Sequence, residues 1–134
     1  MIELDAEVRA FLERPRRFAT LATIDPDGMP RQAVVWYRLE PDGSILVNSL
    51  VGRRWPNNLL RDPRVSVLVP EGYDYVAIRG VAERLHEGQA AEDDILALAA
   101  LYERGDELRT RQAGFRGLAR ISFLIRPRSV TVHR

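Results

Sequence analysis

The chain has 134 residues, 46% of them apolar and 29% charged, and its 20 basic and 19 acidic side chains leave a formal charge of +1, which fits one small domain with a single core. Every basic residue is arginine, cysteine is absent, and histidine occurs only at 86 and 133. These absences exclude Schiff-base lysines, lysine-bearing phosphate loops, thiolate nucleophiles, disulfides, iron–sulfur clusters and cysteine zinc sites.

The acidic start, Met1-Ile2-Glu3-Leu4-Asp5, lacks the basic and apolar regions of a signal peptide, and no apolar run approaches the ~20 residues that cross a bilayer, so the expectation is a cytoplasmic protein. Asp5 caps an amphipathic helix over 5–14, with Val8, Phe11 and Leu12 at helical spacing and Pro15 ending it. Residues 17–24 and 32–39 read as strands joined by the turn Asp25-Pro26-Asp27-Gly28. Pro41-Asp42-Gly43 repeats that turn chemistry before a third strand at 44–49.

The stretch 52–62 has helical character, with Pro56 suited to a first turn, Leu59 and Leu60 on an apolar side, and Asp62-Pro63 as the stop. Strands follow at 64–69 and 73–85, and Gly80 within the second marks a bulge or bend. Ile95, Leu98, Ala99, Leu101 and Tyr102 define a helix over 89–104 behind the acidic turn Glu92-Asp93-Asp94. Residues 105–117 read as a loop or frayed helix, and the chain closes with strands at 119–125 and 129–133, separated by Pro127. This order implies an α+β domain on an antiparallel barrel or half-open barrel, and strands as apolar as 17–24 and 64–69 favour a homodimer that covers them.

With so little nucleophilic or acid–base chemistry in its own side chains, a catalyst of this composition depends on a bound cofactor. His86 and His133 lack the neighbours of a metal site or a nucleophile–base pair, and no metal is expected. Twenty arginines interspersed with nineteen acids form no basic stripe, so no nucleic acid is expected either. The strongest local signal is Gly52-Arg53-Arg54 at the start of the helix over 52–62. A helix N-terminus attracts anions, guanidinium groups bind phosphate, and glycine admits close backbone approach. The same pair also suits a solvated loop. Beside it, alternation along 32–39 places Gln32, Val34, Trp36 and Arg38 on one face, where hydrogen-bonding groups next to a flat aromatic suit a planar heterocycle; Trp36 as plain packing is the alternative. Tyr73, Asp74 and Tyr75 are assigned no role.

Four runs carry a resemblance: Phe18-Ala19-Thr20-Leu21-Ala22-Thr23, Asp27-Gly28-Met29-Pro30, the segment from Arg53 to Val65, and Tyr75-Val76-Ala77-Ile78-Arg79-Gly80, with Ile125-Arg126-Pro127 ahead of the last strand. Together they resemble the pyridoxamine-phosphate-oxidase-like split-barrel family, in its branch of deazaflavin (coenzyme F420)-dependent oxidoreductases, over residues 8–132. The resemblance implies a homodimeric six-stranded split barrel whose cofactor lies in a groove between subunits. It implies phosphate contacts from Arg53 and Arg54, ring contacts from Gln32, Val34, Trp36, Asn48 and Ser49, and a place for Asn58 in the same site. The implied reaction is hydride transfer between F420 and an unsaturated small organic substrate, with no catalytic side chain named. FMN in the same groove, or cofactor binding without turnover, are the alternatives. Many members carry lysine within or just after the basic pair, where this chain has Trp55 and Pro56.

Overall fold

The computed structural model describes residues 1–134. In chain order the elements are α1 (Ala6–Leu12), β1 (Ala19–Ile24), β2 (Pro30–Val35), β3 (Arg38–Leu39), β4 (Ile45–Leu50), α2 (Arg54–Arg61), β5 (Arg64–Glu71), β6 (Asp74–Glu87), α3 (Gly88–Tyr102), α4 (Gly105–Phe115) and β7 (Arg120–His133). The strands form one antiparallel sheet of seven in the order β2-β1-β5-β6-β7-β4-β3, so the domain is α+β, with seven strands where six were expected.

Local chemistry accounts for the early elements. The Asp5 carboxylate caps α1 by accepting from the Val8 N–H at 2.9 Å. Gly28 and Gly43 take positive φ in the turns preceding β2 and β4, which the Pro-Asp-Gly pattern anticipates. Strict alternation of covered and open residues along β1 and β5 puts Leu21, Val65, Val67 and Val69 into the core.

Three expectations are corrected. The strand expected over 32–39 breaks at Trp36-Tyr37, because the Tyr37 N–H donates to the Tyr102 hydroxyl (3.1 Å) instead of to a strand neighbour. The two halves then lie at opposite edges of the sheet, β2 beside β1 and β3 beside β4. Two residues span only about 7 Å, so the sheet must curl until its edges approach. Accordingly Val35, Ile45, Val67, Ile78 and Phe123, from five different strands, share one core cluster with Leu12 of α1 and Leu59 of α2.

The two C-terminal strands expected on either side of Pro127 form one continuous strand, β7. Pro127 lies opposite Gly80 at a register shift in the β6–β7 ladder, where a residue without an N–H costs no ladder bond. Gly80 is required there, since a Cβ would stand 2.4 Å from the Arg126 carbonyl oxygen. The segment expected as loop or frayed helix contains α4, which has no buried residue and therefore no apolar periodicity to read. Polar ties hold it instead: Arg111 pairs with Glu103 at 2.7 Å, and the Gln112 amide donates to the Leu96 carbonyl at 3.0 Å.

Candidate functional site

The end of β4 and the turn at Gly52 deliver Arg53 to the start of α2, as its sequence pattern anticipates. Arg53 is the N-cap residue with extended backbone, and its side chain makes no cap hydrogen bond to the amides of the first turn. Neither Arg53 nor Arg54 takes part in any ion pair.

A cavity of about 420 Å³ opens beside this helix start. Of the sequence-predicted residues, Val34, Trp36, Asn48, Ser49 and Arg53 line it together. It continues into a second cavity of about 670 Å³ under α4, and the two share Arg53, Arg111, Phe115 and Arg120. The first compartment is walled by Trp36, Trp55, Ile95 and Leu98, and the second brings Asp106, Glu107 and Thr110 of α4 to the rim. The result is an aromatic-walled compartment that meets guanidinium groups at the junction of the two.

Trp36 is held by its neighbours: it stacks on Tyr102 with ring centroids 5.1 Å apart, and Phe115 meets it edge-on at 6.2 Å. Phe18 stacks on Tyr102 in turn, at 5.5 Å. The Tyr102 hydroxyl donates to the Arg17 carbonyl (2.5 Å), and burial raises its pKa above the ordinary phenol value. The aromatic wall is thus preorganised by a hydroxyl that stays protonated.

Asn48 faces the cavity but its side chain is committed to the protein. Its amide donates to the Ala91 carbonyl and to Ser122 Oγ, both at 2.8 Å, and its oxygen accepts from Arg120 Nη1 at 3.0 Å. Three expected residues lie outside both cavities. Gln32 is exposed on the open face of the sheet, and Arg54 is exposed at the helix start. Asn58 is buried, where its amide donates to Thr23 Oγ1 (3.1 Å) and Asp25 Oδ1 (2.8 Å), tying α2 to the end of β1. Arg31 first, then Asn58, holds the Asp25 carboxyl below its ordinary pKa. Trp55, where many family members carry lysine, is buried against Phe123.

Sequence reasoning missed Phe18, Arg111, Phe115 and Arg120. Phe18 opens the first of the resembling runs but was given no site role, and no motif marks the other three, because α4 and the β4–β7 register bring them to the cavity from distant parts of the chain; Arg120 lies opposite Leu50 in that register. The histidines and the tyrosine turn stand apart from the site. His86 Nδ1 is 2.9 Å from Asp94 Oδ2, His133 stacks on Tyr75, and Tyr73 is exposed. No cluster of three or more His, Cys, Asp or Glu is arranged to hold a metal, and no helix is long and apolar enough to cross a membrane.

Comparison with known structures gives the same architecture. The conserved hypothetical protein Rv2991 from Mycobacterium tuberculosis is 29% identical, matches 98% of this chain and 85% of its own, and superposes with a TM-score of 0.77. A structure described as an F420 reductase is 22% identical over 96% of this chain and 98% of its own, with a TM-score of 0.75. HutZ, the heme storage protein from Vibrio cholerae, is 19% identical over 98% and 95%, with a TM-score of 0.71. No protein of curated function matches significantly. The family model described as pyridoxamine 5'-phosphate oxidase matches residues 4–119, and with this sheet topology the chain belongs to that family.

Proposed function

We propose that the chain is a redox protein that holds a flavin-type cofactor, coenzyme F420 with FMN as the alternative, in the cavity beside Arg53. The observation that carries this reading is the continuity of an aromatic-walled compartment with the Arg53 guanidinium, which is free of ion pairs, at a helix start. At about 420 Å³ the first compartment lies within the ordinary range for small-molecule sites. Val34, Trp36 and Ser49 would border the ring and Arg53 the phosphate, while Asn48 would act through Arg120. Gln32, Arg54 and Asn58 would act, if on the ligand at all, from outside the cavity.

When bound, such a cofactor supplies hydride transfer to or from an unsaturated organic substrate. The chain's own work is to orient the ring against the Trp36–Tyr102 stack, to hold the charged tail at Arg53, and to keep water from the apolar wall. The similarity to an F420 reductase supports the deazaflavin. The similarity to a heme storage protein raises a second ligand class, but no lining residue of either cavity is His, Cys, Met or Tyr, the side chains that ligate haem iron.

The reading includes a homodimeric split barrel. Two rows of side chains cross the open face of five strands in register: Val34, Thr20, Leu68, Ala77 and Thr131, and beside them Gln32, Ala22, Ser66, Arg79 and Ser129. Val34 is 71% exposed there and also lines the cavity, so a second copy on this face would border the cofactor.

Fluorescence titration with F420 and with FMN tests the ligand, and stopped-flow hydride transfer to enones and quinones tests turnover. Saturable micromolar binding of one cofactor is expected. Binding of neither overturns the reading, and binding without transfer to any acceptor converts it to a cofactor carrier.

A further inference from the structure

Reducing a carbon–carbon double bond takes a proton as well as a hydride, and the two compartments hold few groups that can give one. No lining residue is His, Tyr, Cys or Lys, the arginines keep their charge, and the hydroxyls of Ser49 and Thr110 hold their protons. Two carboxyls remain, Asp106 and Glu107, both in the first turn of α4. Asp106 is already matched by Arg109 on its own helix.

Glu107 stands differently. Glu103, the C-cap residue of α3, is 7% exposed and accepts two bonds from Arg111, Nε to Oε1 at 2.7 Å and Nη2 to Oε2 at 3.2 Å. The Glu107 carboxyl bonds to that same Glu103 carboxyl. Two carboxyl groups bond only by sharing a proton, and with Arg111 fixing Glu103 as the anion the proton falls to Glu107. The bond to Glu103 first, and repulsion by its charge second, raise Glu107 above the ordinary glutamate pKa, against the weaker pull of Arg111 and of Arg16 in the segment after α1. The charges that share its cavity are Arg53, Arg111 and Arg120. Glu107 itself is exposed, so solvent returns its proton after each transfer.

Arg120 marks the same cavity as a ligand site. The residue is 8% exposed, Nη1 donates to the Asn48 oxygen at 3.0 Å, and the buried Nε–H has no partner. An unpaired donor at that depth calls for an acceptor on a bound molecule. A charged donor suits the oxygen of a polarised carbonyl, where negative charge grows as a hydride arrives.

We propose that the cavity under α4 takes an α,β-unsaturated carbonyl compound, that Arg120 Nε donates to its oxygen, and that Glu107 is its proton donor. The inference rests on the redox reading and deepens it by naming the substrate class and the acid. The hydride from the reduced flavin-type cofactor forms the C–H bond at the β-carbon, and the π pair shifts to the carbonyl oxygen beside Arg120. The Glu107 O–H bond then breaks as the enolate takes the proton at its α-carbon. The products are the saturated carbonyl compound, the Glu107 carboxylate and a cofactor oxidised by two electrons.

The test uses the full chain loaded with reduced F420 or FMN, whichever binds, on cyclohexenone and on a benzoquinone, whose reduced oxygens take protons directly from water. Glu107→Gln should slow enone reduction about 100-fold or more and leave quinone reduction and cofactor affinity close to the wild type. Arg120→Gln, which keeps a donor for Asn48, should slow enone reduction by about 100-fold. The wild-type enone rate should fall as pH rises through the Glu107 pKa. Glu103→Gln removes the repulsion and releases Arg111, so that fall should move to lower pH. Carbon-13 resonances of the carboxyls in the cofactor-free chain check the acid without turnover: Glu107 should titrate above an ordinary glutamate and move down in Glu103→Gln.

Enone reduction left unchanged by Glu107→Gln or by Arg120→Gln overturns the proposal. So does an equal loss on enone and quinone in Glu107→Gln, which assigns that residue to the fold, or an ordinary titration of Glu107. A wild type that reduces quinones but no enone overturns it as well. In each of these cases quinone reduction by the wild type leaves the redox reading standing, whereas binding of neither cofactor, or binding without transfer, overturns both.

Discussion

The rings of Trp36 and Tyr102 lie 9° from parallel with centroids 5.1 Å apart, and the Tyr102 hydroxyl accepts from the Tyr37 N–H at 3.1 Å while donating to the Arg17 carbonyl at 2.5 Å. One side chain of α3 thus supports the cavity wall and occupies the backbone position at which the predicted strand breaks. Tyr102→Phe keeps the stack and removes the hydroxyl, leaving a partly buried N–H and carbonyl unpaired. The expected loss is about 1–3 kcal/mol of stability, measured as the urea midpoint, with a weaker ordering of Trp36 visible in its near-ultraviolet circular dichroism.

The paired arginines are not equivalent. Arg53 lines both cavities and Arg54 neither. Arg53→Ala should weaken binding of the phosphorylated cofactor by about 2 kcal/mol, the range of a hydrogen bond to a charged group, whereas Arg54→Ala should change it little. Equal losses in the two variants, by fluorescence titration, would place the phosphate on the solvent side of the helix start.

Asn58 separates folding from binding. Its amide bonds to Thr23 and Asp25 are internal, and the residue is 2% exposed. Asn58→Ala strands the buried Thr23 hydroxyl and loosens the tie between α2 and β1, so chemical denaturation should show a loss of about 2–3 kcal/mol. Cofactor affinity in the folded variant should stay close to that of the wild type.

Acid should unfold the protein in a window set by its paired carboxylates. Arg64 holds Asp62 at about 2, below the ordinary 3.8. Arg31 lowers Asp25, the Ser44 backbone N–H lowers Asp42, and Arg17 lowers Glu71. A carboxylate whose folded pKa is depressed contributes fully above its unfolded value, and the contribution disappears as pH falls through the folded value. Stability should therefore be level down to about pH 4.5 and decline steadily toward pH 2. Urea midpoints that do not change across that range would contradict the ion-pair assignments.

The turns and the α2 start were legible in the sequence because each rests on contacts within a few residues. Asp5 caps α1 three residues on, Gly28 and Gly43 satisfy backbone angles locally, and Gly52-Arg53 sits where strand gives way to helix. Alternation likewise gathered Val34 and Trp36 onto the cavity side. The α4 helix escaped because its support is polar and lies on α3. The unity of β7 escaped because a proline is tolerated only opposite the Gly80 bulge on another strand.

Sequence alone therefore determined the α+β composition, the β1–β2 hairpin and the basic helix start, all consequences of neighbouring residues and of side-chain period. Tertiary structure alone decided which side chains share the cavity. It withdrew Asn58 into the packing, turned Asn48 from an expected ring contact into the holder of Arg120, and set a guanidinium from residue 120 beside one from residue 53. Charges so distant in sequence meet only through the β4–β7 register, and the burial that makes one of them costly exists only once the sheet has curled.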